Sequence, residues 1–290
     1  MSGYMETILV LLSINVILAY AAFLPLAAGQ VNLGIAGLMA IGAYGTAYVN
    51  TEFGVSPLVA IGFGTVLAGL ISFLLSFPIL RTREIYLALA TLALGESISG
   101  LIINTKFLGG AAGYPVAGYL NYPWIVGAAV LVCGLVFYLF QTRFGMCIVA
   151  VDDDERVADL LGVNVRMTRV AAFSIGGALA GLAGSLYALH FSFIEGQHFT
   201  VLLSVYVVLF VLLGGAKSIV GPFAGAVFFT VLPEIFRFGN EWRYVLFAAV
   251  VIVCMAVRPY GLFMRTTRTQ KLKWPNAALR YKLRGSKEVA

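Results

Sequence analysis

The chain has 290 residues, of which 61% are hydrophobic and only 11% are charged. Soluble domains carry roughly 25% charged residues, so this composition excludes a soluble globular protein and indicates a multi-pass membrane protein. The net charge of +6 does not indicate a nucleic-acid-binding surface, because nine of the nineteen Lys and Arg residues follow Val257 in one terminal segment.

Apolar runs predict nine membrane-spanning segments, since about 20 apolar residues cross a hydrocarbon core of roughly 30 Å. In chain order the segments are 6–27, 33–50, 57–80, 85–103, 123–141, 169–191, 200–214, 221–237 and 243–257. Two or three of them are short, which predicts half-length or re-entrant helices. The predicted fold is therefore all-α, a polytopic bundle of about 8–10 transmembrane segments over residues 1–257, followed by a basic tail over residues 258–290.

The second segment is preceded by a run of small and polar residues. Gly29, Gln30, Asn32 and Gly34 interrupt the apolar pattern at the expected edge of the membrane. Unwound backbone is tolerated at that depth only where it is buried in protein or lines a cavity. The run predicts either a broken helix that lines a permeation path or a simple glycine-rich turn.

Glu96 is the one acidic residue well inside an apolar run. An intramembrane carboxylate is costly and usually faces the bundle interior or water. Two interpretations remain open: Glu96 lines a translocation path or pairs with a basic group, or its carboxylate is hydrogen-bonded to Ser97, Ser99 or a neighbouring segment. The residues predicted to line the path are Gln30, Asn32, Gly34, Tyr86, Thr91 and Glu96.

A polar interruption over residues 142–169 separates the fifth and sixth apolar segments and holds five of the thirteen acidic residues. Residues 154–161 are predicted to form a short amphipathic helix. Asp152 and Asp153 are expected to cap or complement its N-terminus, and Gly162 to stop it. A charged helix of this kind either docks into a groove on a partner protein or merely connects two segments.

The distribution of Lys and Arg predicts the orientation of the chain. Placing the 142–168 loop in the cytoplasm gathers 16 of the 19 basic residues on that side, including the tail. Cytoplasmic loops of membrane proteins carry an excess of Lys and Arg, so this loop and the C-terminus are predicted to be cytoplasmic.

Three further motifs are interpreted as structural. His190 and His198 are too isolated to indicate a metal site, and none is predicted. Residues 213–222 superficially resemble a phosphate-binding loop but lack the glycine required before the lysine, so no nucleotide site is predicted. Gly177 and Gly181 form a GxxxG pair, which predicts close helix packing within the bundle or, alternatively, a dimer interface.

Six sequence blocks, in order, resemble the permease subunits of branched-chain amino-acid ABC transporters, especially the type found in the high-affinity leucine system. The blocks are residues 29–44, 81–96, 142–165, 172–188 and 212–226, and the Pro233-Glu234 pair. The resemblance covers most of the chain and implies an ABC permease-like helix bundle.

The resemblance implies that the central loop couples the chain to an ATPase subunit. The residues that it assigns to this contact are Asp153, Asp154, Glu155, Ala158, Asp159 and Gly162. The general motif of such permeases has a Glu-Ala-Ala triplet before the glycine. Here Ala158 and Gly162 match, whereas Arg156 and Val157 occupy the first two places of the triplet.

The resemblance also implies an import system of several chains in the bacterial plasma (inner) membrane. Its expected partners are a second, related permease, two cytosolic ATPase subunits and an extracytoplasmic solute-binding protein. ATP and Mg would be used by the partner ATPases, and this chain is expected to be neither an enzyme nor the holder of a cofactor.

The expected solutes are branched-chain amino acids. Permeases for urea and short-chain amides have similar blocks and remain an alternative. Two alternatives come from other classes: a stand-alone ion-coupled secondary transporter with Glu96 as its proton site, and a structural scaffold subunit of the membrane.

Overall fold

A computed structural model describes residues 3–82 and 85–235, with residues 248, 251–252, 256 and 261 beyond them. Within these ranges the chain forms ten α-helices and one two-stranded ribbon. The helices are α1 (Gly3–Ala27), α2 (Ile35–Phe53), α3 (Pro57–Ile79), α4 (Ile85–Asn104), α5 (Tyr122–Gln141), α6 (Arg143–Asp153), α7 (Glu155–Leu160), α8 (Val165–Phe191), α9 (Val201–Gly214) and α10 (Gly221–Ile235). The ribbon pairs β1 (Tyr114–Pro115) antiparallel with β2 (Phe193–Ile194).

The predicted all-α membrane bundle is confirmed. Five of the described helices, α1, α3, α4, α5 and α8, are long and apolar enough to cross a membrane. The predicted short helices are also present: α9 has 14 residues, a length of about 21 Å that falls short of a full crossing. The predicted segment 243–257 and the basic tail 258–290 lie outside the described residues, except for the few single positions given above.

The polar loop predicted over residues 142–168 is largely helical, which corrects the sequence-based boundaries. Helix α6 was not predicted, although Gly145, Ile148 and Val151 recur every three residues and form its buried side. Helix α8 begins at Val165, four residues before the predicted segment, because the Asn164 side chain caps it by accepting a hydrogen bond from Met167 N at 3.0 Å. The charged residues of this region concealed its apolar periodicity.

Helix α8 packs at the centre of the bundle, against α1, α2 and α3. A Cβ at Gly181 would overlap the Ala68 side chain of α3, and a Cβ at Gly42 of α2 would overlap the Gly181 backbone. A Cβ at Gly177 would overlap the Ser72 side chain. The GxxxG pair therefore brings helices of the same chain together, as the packing interpretation predicted.

The bundle has two distinct ends. At the α7 end lie α6, α7 and the turn after α1, where an added Cβ on Gly29 would be 3.6 Å from Asp152 Oδ1. At the ribbon end lie β1, β2 and the C-terminus of α2, where Asn50 Oδ1 accepts a hydrogen bond from Gly118 N at 2.6 Å. Helices α4 and α8 run from the α7 end to the ribbon end. The candidate sites therefore lie at three levels: the α7 end, the middle of the bundle and the ribbon end.

Candidate coupling surface and translocation pathway

Helix α7 begins at a capping aspartate. The Oδ1 atom of Asp154 accepts hydrogen bonds from Arg156 N at 2.9 Å and from Val157 N at 3.1 Å. These bonds satisfy backbone donors that have no partner within the helix, and the negative charge suits the positive end of the helix dipole. The expectation that Asp152 and Asp153 fill this role is wrong, since both belong to α6.

The end of α7 follows the predicted pattern. Gly162 has a φ of +84°, a conformation that costs glycine little and other residues more. Its N–H donates to Asp159 O at 2.9 Å, and Val163 N donates to Ala158 O at 3.0 Å. Gly162 is therefore the residue after the helix end that turns the chain towards α8.

The two sides of α7 differ sharply in exposure. Ala158 is only 1% exposed and packs with Val151 and Val165, so it holds α7 against the bundle and offers no surface to a partner. The residues Val157, Leu160 and Leu161 point outward, with Leu160 87% and Leu161 76% exposed. We call these three residues the α7 patch. It is an apolar surface that the described part of the chain leaves uncovered.

Two sets of ion pairs connect the coupling region to the membrane helices. Glu155 Oε2 lies 3.1 Å from Arg169 Nη2 of α8. Lys217 Nζ, in the turn between α9 and α10, lies 3.3 Å from Asp152 Oδ2 and 3.8 Å from Asp153 Oδ1. Exposed pairs of this kind contribute about 0–1 kcal/mol each, so their main effect is to fix relative positions.

The acidic residues predicted to contact the ATPase thus differ in the contacts that they make within this chain. Asp154 is committed to the cap of α7, and Glu155 and Asp153 pair with basic residues of the same chain. Asp159 is exposed and borders the open cavity beside α7. Lys217, which the sequence placed on the side of the central loop and in an imperfect phosphate-loop pattern, was missed as a contact of α6. Its signal was a lone basic residue in the tight turn between two short helices.

A cavity of about 1410 Å³ opens at the α7 end, between the turn after α1, the end of α3, the start of α4 and the segment from α6 to α8. Its lining carries both signs of charge: Arg81, Arg166 and Arg169 on one hand and the acids of residues 152–155 on the other. Gln30 also borders it and is buried, and its Oε1 has no hydrogen-bond partner among the described residues. Of the residues predicted to line the path, Gln30 is the one that the structure places at this cavity.

Three other predicted path residues are buried where the connector before α2 meets α4. Leu33 N donates to Thr91 Oγ1 at 3.0 Å, and Gly34 N donates to Asn32 Oδ1 at 2.8 Å. A Cβ at Gly34 would lie 2.6 Å from Thr91 O, so glycine is required for this close approach. The extended connector before α2 is therefore bound to the middle of α4, and Asn32, Gly34 and Thr91 contact their own chain.

Tyr86 and Glu96, the remaining predicted path residues, are exposed on the outward side of α4. Glu96 Oε1 accepts a hydrogen bond from Val201 N, the first residue of α9, at 2.9 Å. Ser97 and Ser99 are not its partners, since their hydroxyls donate to Ala93 O and Phe199 O. The contact with a neighbouring segment is the one that the structure contains.

The N-termini of two helices meet near this level. Ala36 N, in the first turn of α2, donates to Ser204 Oγ, in the first turn of α9, at 2.9 Å. Ser204 was missed because a single serine in an apolar run gives no signal of its long-range partner. Both helices start inside the bundle and run to opposite ends, α2 to the ribbon and α9 to the turn that holds Lys217.

The two histidines lie near the ribbon end. His198 Nε2 lies 3.7 Å from Glu195 Oε2, and His190 Nδ1 lies 3.1 Å from Leu120 O. Across the described residues, no group of three or more His, Cys, Asp or Glu side chains is placed to hold a metal ion.

Comparison with known proteins gives a consistent family. The family model described as "Branched-chain amino acid transport system / permease component" matches residues 4–255. The chain is 29% identical over 281 residues to the high-affinity branched-chain amino acid transport system permease protein LivM of Escherichia coli K12 and 31% identical over 287 residues to that of Salmonella typhimurium. Each alignment covers 84% of this chain and 66% of the relative, so the chain spans slightly less than two thirds of these proteins.

A further relative carries a different solute in its name. The guanosine ABC transporter permease protein NupQ of Bacillus subtilis is 29% identical over 261 residues, with 81% of each chain covered. No solved structure matches the chain.

Proposed function

Because the chain belongs to the family of branched-chain amino-acid transport permease components, whose members are transport components, we propose that it is the transmembrane subunit of an ATP-binding-cassette importer. Its solute would be a branched-chain amino acid delivered by a solute-binding protein. A second permease and two ATPase subunits would complete the importer. ATP and Mg would be bound by those ATPases, with no cofactor on this chain.

The α7 patch is the observation that carries the coupling role. An apolar surface on a short helix outside the membrane bundle is typical of a docking site, because exposed apolar area gains free energy when a partner covers it. At about 25 cal/mol per Å², covering one leucine side chain is worth roughly 2 kcal/mol. Ala158 and the Asp154 cap hold this patch in place, and Asp159 and Arg156 beside it would orient the partner.

The charge pattern supports a cytoplasmic location for the α7 end. Lys and Arg accumulate on the side of α7, so we assign this end and the C-terminus to the cytoplasm of a bacterial inner membrane. The 1410 Å³ cavity would then open towards the cytoplasm. Gln30 would line the inner part of the route, while Asn32, Gly34 and Thr91 would support it from within the chain.

The solute is inferred from the LivM proteins, which are the relatives with the largest share of this chain aligned among those described above. The similarity to NupQ makes a nucleoside the second candidate. Urea and short-chain amides remain a third, which the sequence blocks alone suggested.

The test is reconstitution of the chain with its partner permease, ATPases and binding protein, followed by leucine uptake in the presence and absence of ATP. We expect uptake that requires ATP, and excess valine or isoleucine should compete better than guanosine or urea. Uptake by this chain alone, driven by a proton gradient, would contradict the proposal and favour a secondary transporter. Inhibition by guanosine alone would retain the importer but change its solute.

A paired substitution tests the coupling role of the α7 patch. Leu160→Ser should reduce co-purification of the ATPase and ATP-dependent uptake by about tenfold, since roughly 1.4 kcal/mol of apolar contact is lost. Phe107→Ser is the matched control, because Phe107 is also strongly exposed but lies near the ribbon end. Equal retention of the ATPase by both variants would show that the α7 patch is not the docking surface.

A further inference from the structure

Helix α4 has an outward side that differs from those of the other exposed helices. Its residues recur at intervals of three or four and include small, polar and charged side chains. They are Tyr86, Leu89, Ala93, Glu96, Ser97, Gly100, Leu101 and Asn104. The opposite side, with Leu87, Thr91, Gly95, Ser99 and Ile102, is buried in the bundle.

The outward sides of α3 and α5 have the composition expected for contact with lipid. On α3 they present Leu58, Val59, Phe63, Val66, Leu70, Phe73 and Leu74, and on α5 Trp124, Val130, Leu131, Leu135, Phe137 and Tyr138. Neither helix contains a charged residue. The polar side of α4 is therefore a property of that helix and not of the bundle surface in general.

Glu96 makes lipid an unsuitable neighbour for α4. It is the twelfth of the 20 residues of α4, about 16 Å from the start of the helix, which is near the middle of a membrane about 30 Å thick. A carboxylate at that depth faces protein or water, because hydrocarbon cannot solvate its charge. One oxygen accepts the Val201 N–H, and the side chain remains exposed.

The segment before α9 extends this polar surface towards the ribbon end, and the first turns of α9 continue it with the exposed apolar side chains of Leu202 and Val205. Gln197, His198 and Thr200 are exposed just before α9, and Tyr206 is exposed in its second turn. Gly196 lies against α4, where an added Cβ would be 2.7 Å from Ile103 Cγ1. We call the outward side of α4 together with residues 197–206 the α4–α9 face.

We propose that the α4–α9 face lines the solute route, with the second permease forming the opposite wall, and that Glu96 contacts the ammonium group of the solute. This inference rests on the proposed import function. The charges are complementary: a carboxylate at the depth of the membrane needs a cation or hydrogen-bond donors, and an amino acid brings an ammonium group to it. The Val201 N–H fixes the carboxylate, and the small residues Ala93 and Gly100 leave room for solute beside it.

The alternative role of Glu96 is structural, as a cap for α9, and two substitutions separate the roles. Glu96→Gln keeps an oxygen that can accept the Val201 N–H but removes the charge, whereas Glu96→Ala removes both. If Glu96 contacts the ammonium group, Glu96→Gln should raise the KM for leucine about tenfold in a complex that assembles normally. If leucine uptake is unchanged in Glu96→Gln and lost only in Glu96→Ala, capping of α9 is the only role left for Glu96. That result would overturn its contact with the ammonium group.

Thiol labelling tests the face without requiring transport. In the assembled importer, with Cys133, Cys147 and Cys254 replaced by alanine, Ala93→Cys is compared with Val130→Cys. Each is the ninth residue of a 20-residue helix and is exposed in this chain, on α4 and α5 respectively. A charged, water-soluble methanethiosulfonate should modify Ala93→Cys at least about tenfold faster, because water reaches a solute route and not the lipid-facing side.

Leucine supplied with the binding protein should slow the modification of Ala93→Cys. Equal, slow modification of both variants would show that α4 faces lipid and would overturn the proposal even if ATP-dependent uptake is intact. Fast modification of Ala93→Cys that leucine does not affect, with unchanged uptake by Glu96→Gln, would overturn the solute contact. Failure of the import function itself would be seen separately, as absence of ATP-dependent uptake by the unsubstituted chain.

Discussion

At the scale of single residues, the short helix α7 depends on the two positions that bound it. Asp154 provides an acceptor for two backbone N–H groups, and Gly162 allows the chain to leave the helix with a positive φ. A helix of six residues is far below the length that is stable alone in water, so its order comes from these ends and from Ala158 packing. The side chains of Leu160 and Leu161 are largely exposed and so bury little apolar area in the isolated chain.

Substitutions of Gly162 should be graded by how well each residue adopts a left-handed conformation. An added Cβ meets nothing within 4 Å, so backbone strain rather than steric overlap sets the cost. Gly162→Val should destabilise the end of α7 by about 1–2 kcal/mol and reduce ATPase docking, whereas Gly162→Asn should cost less. Amide hydrogen exchange over residues 155–163 measures the effect, and equally fast exchange in both variants would contradict it.

The sequence indicated that acidic residues of this region cap α7, but it did not indicate which of them does so. Asp152, Asp153, Asp154 and Glu155 are consecutive, and spacing alone made the first two reasonable capping residues. The structure uses Asp154 because α6 continues through Asp153, so that the break between helices falls one residue later. Such a choice depends on the apolar stripe of α6, which is visible only once its partners are known.

At the scale of elements, the apolar runs were sufficient to locate most helices. The predicted segments 57–80, 85–103 and 123–141 differ from α3, α4 and α5 by one residue at an end. What the runs did not reveal is how the connector before α2 and the start of α9 are held by α4. Thr91, Glu96 and Ser99 make those contacts with residues about 58 to 105 positions away, which no local pattern encodes.

Close packing of α8 should make its glycines far less tolerant than equally helical glycines on α5. Gly181→Leu would place a side chain into α3, whereas Gly134→Leu adds one where nothing lies within 4 Å. We expect Gly181→Leu to lower the thermal stability of the detergent-solubilised complex or to prevent its assembly, with a cost of about 1–3 kcal/mol or more from overpacking. Gly134→Leu should leave the melting temperature within experimental scatter. A larger loss of stability in Gly134→Leu than in Gly181→Leu would contradict the central position of α8 in the bundle.

At the scale of the whole molecule, α9 connects the two candidate functional regions. Its first residue donates to Glu96 in the middle of α4, and the turn after its end holds Lys217 beside Asp152 and Asp153 of α6. A displacement of α6 and α7 by an ATPase would therefore reach Glu96 through one helix of 14 residues. Arg169 provides a second connection, from Glu155 to the central helix α8. Close packing at glycines would let these spans move as units, as alternating access would require.

Reversal of the Lys217 contact tests whether this connection transmits the movement. Lys217→Glu places like charges beside Asp152 and Asp153, and it should lower leucine uptake per ATP hydrolysed about threefold while the complex still assembles, because an exposed pair contributes only about 0–1 kcal/mol to stability. Adding Asp152→Lys should restore part of the ratio, since it re-forms one opposite-charge pair. Lys106→Glu, an exposed basic residue near the ribbon end, is the control. If uptake and ATP hydrolysis fall together in Lys217→Glu, or if Asp152→Lys lowers the ratio further, the ion pair stabilises the fold and does not couple ATP hydrolysis to transport. A selective change in the ratio instead requires that the energy of ATP hydrolysis passes through α9 to the solute route.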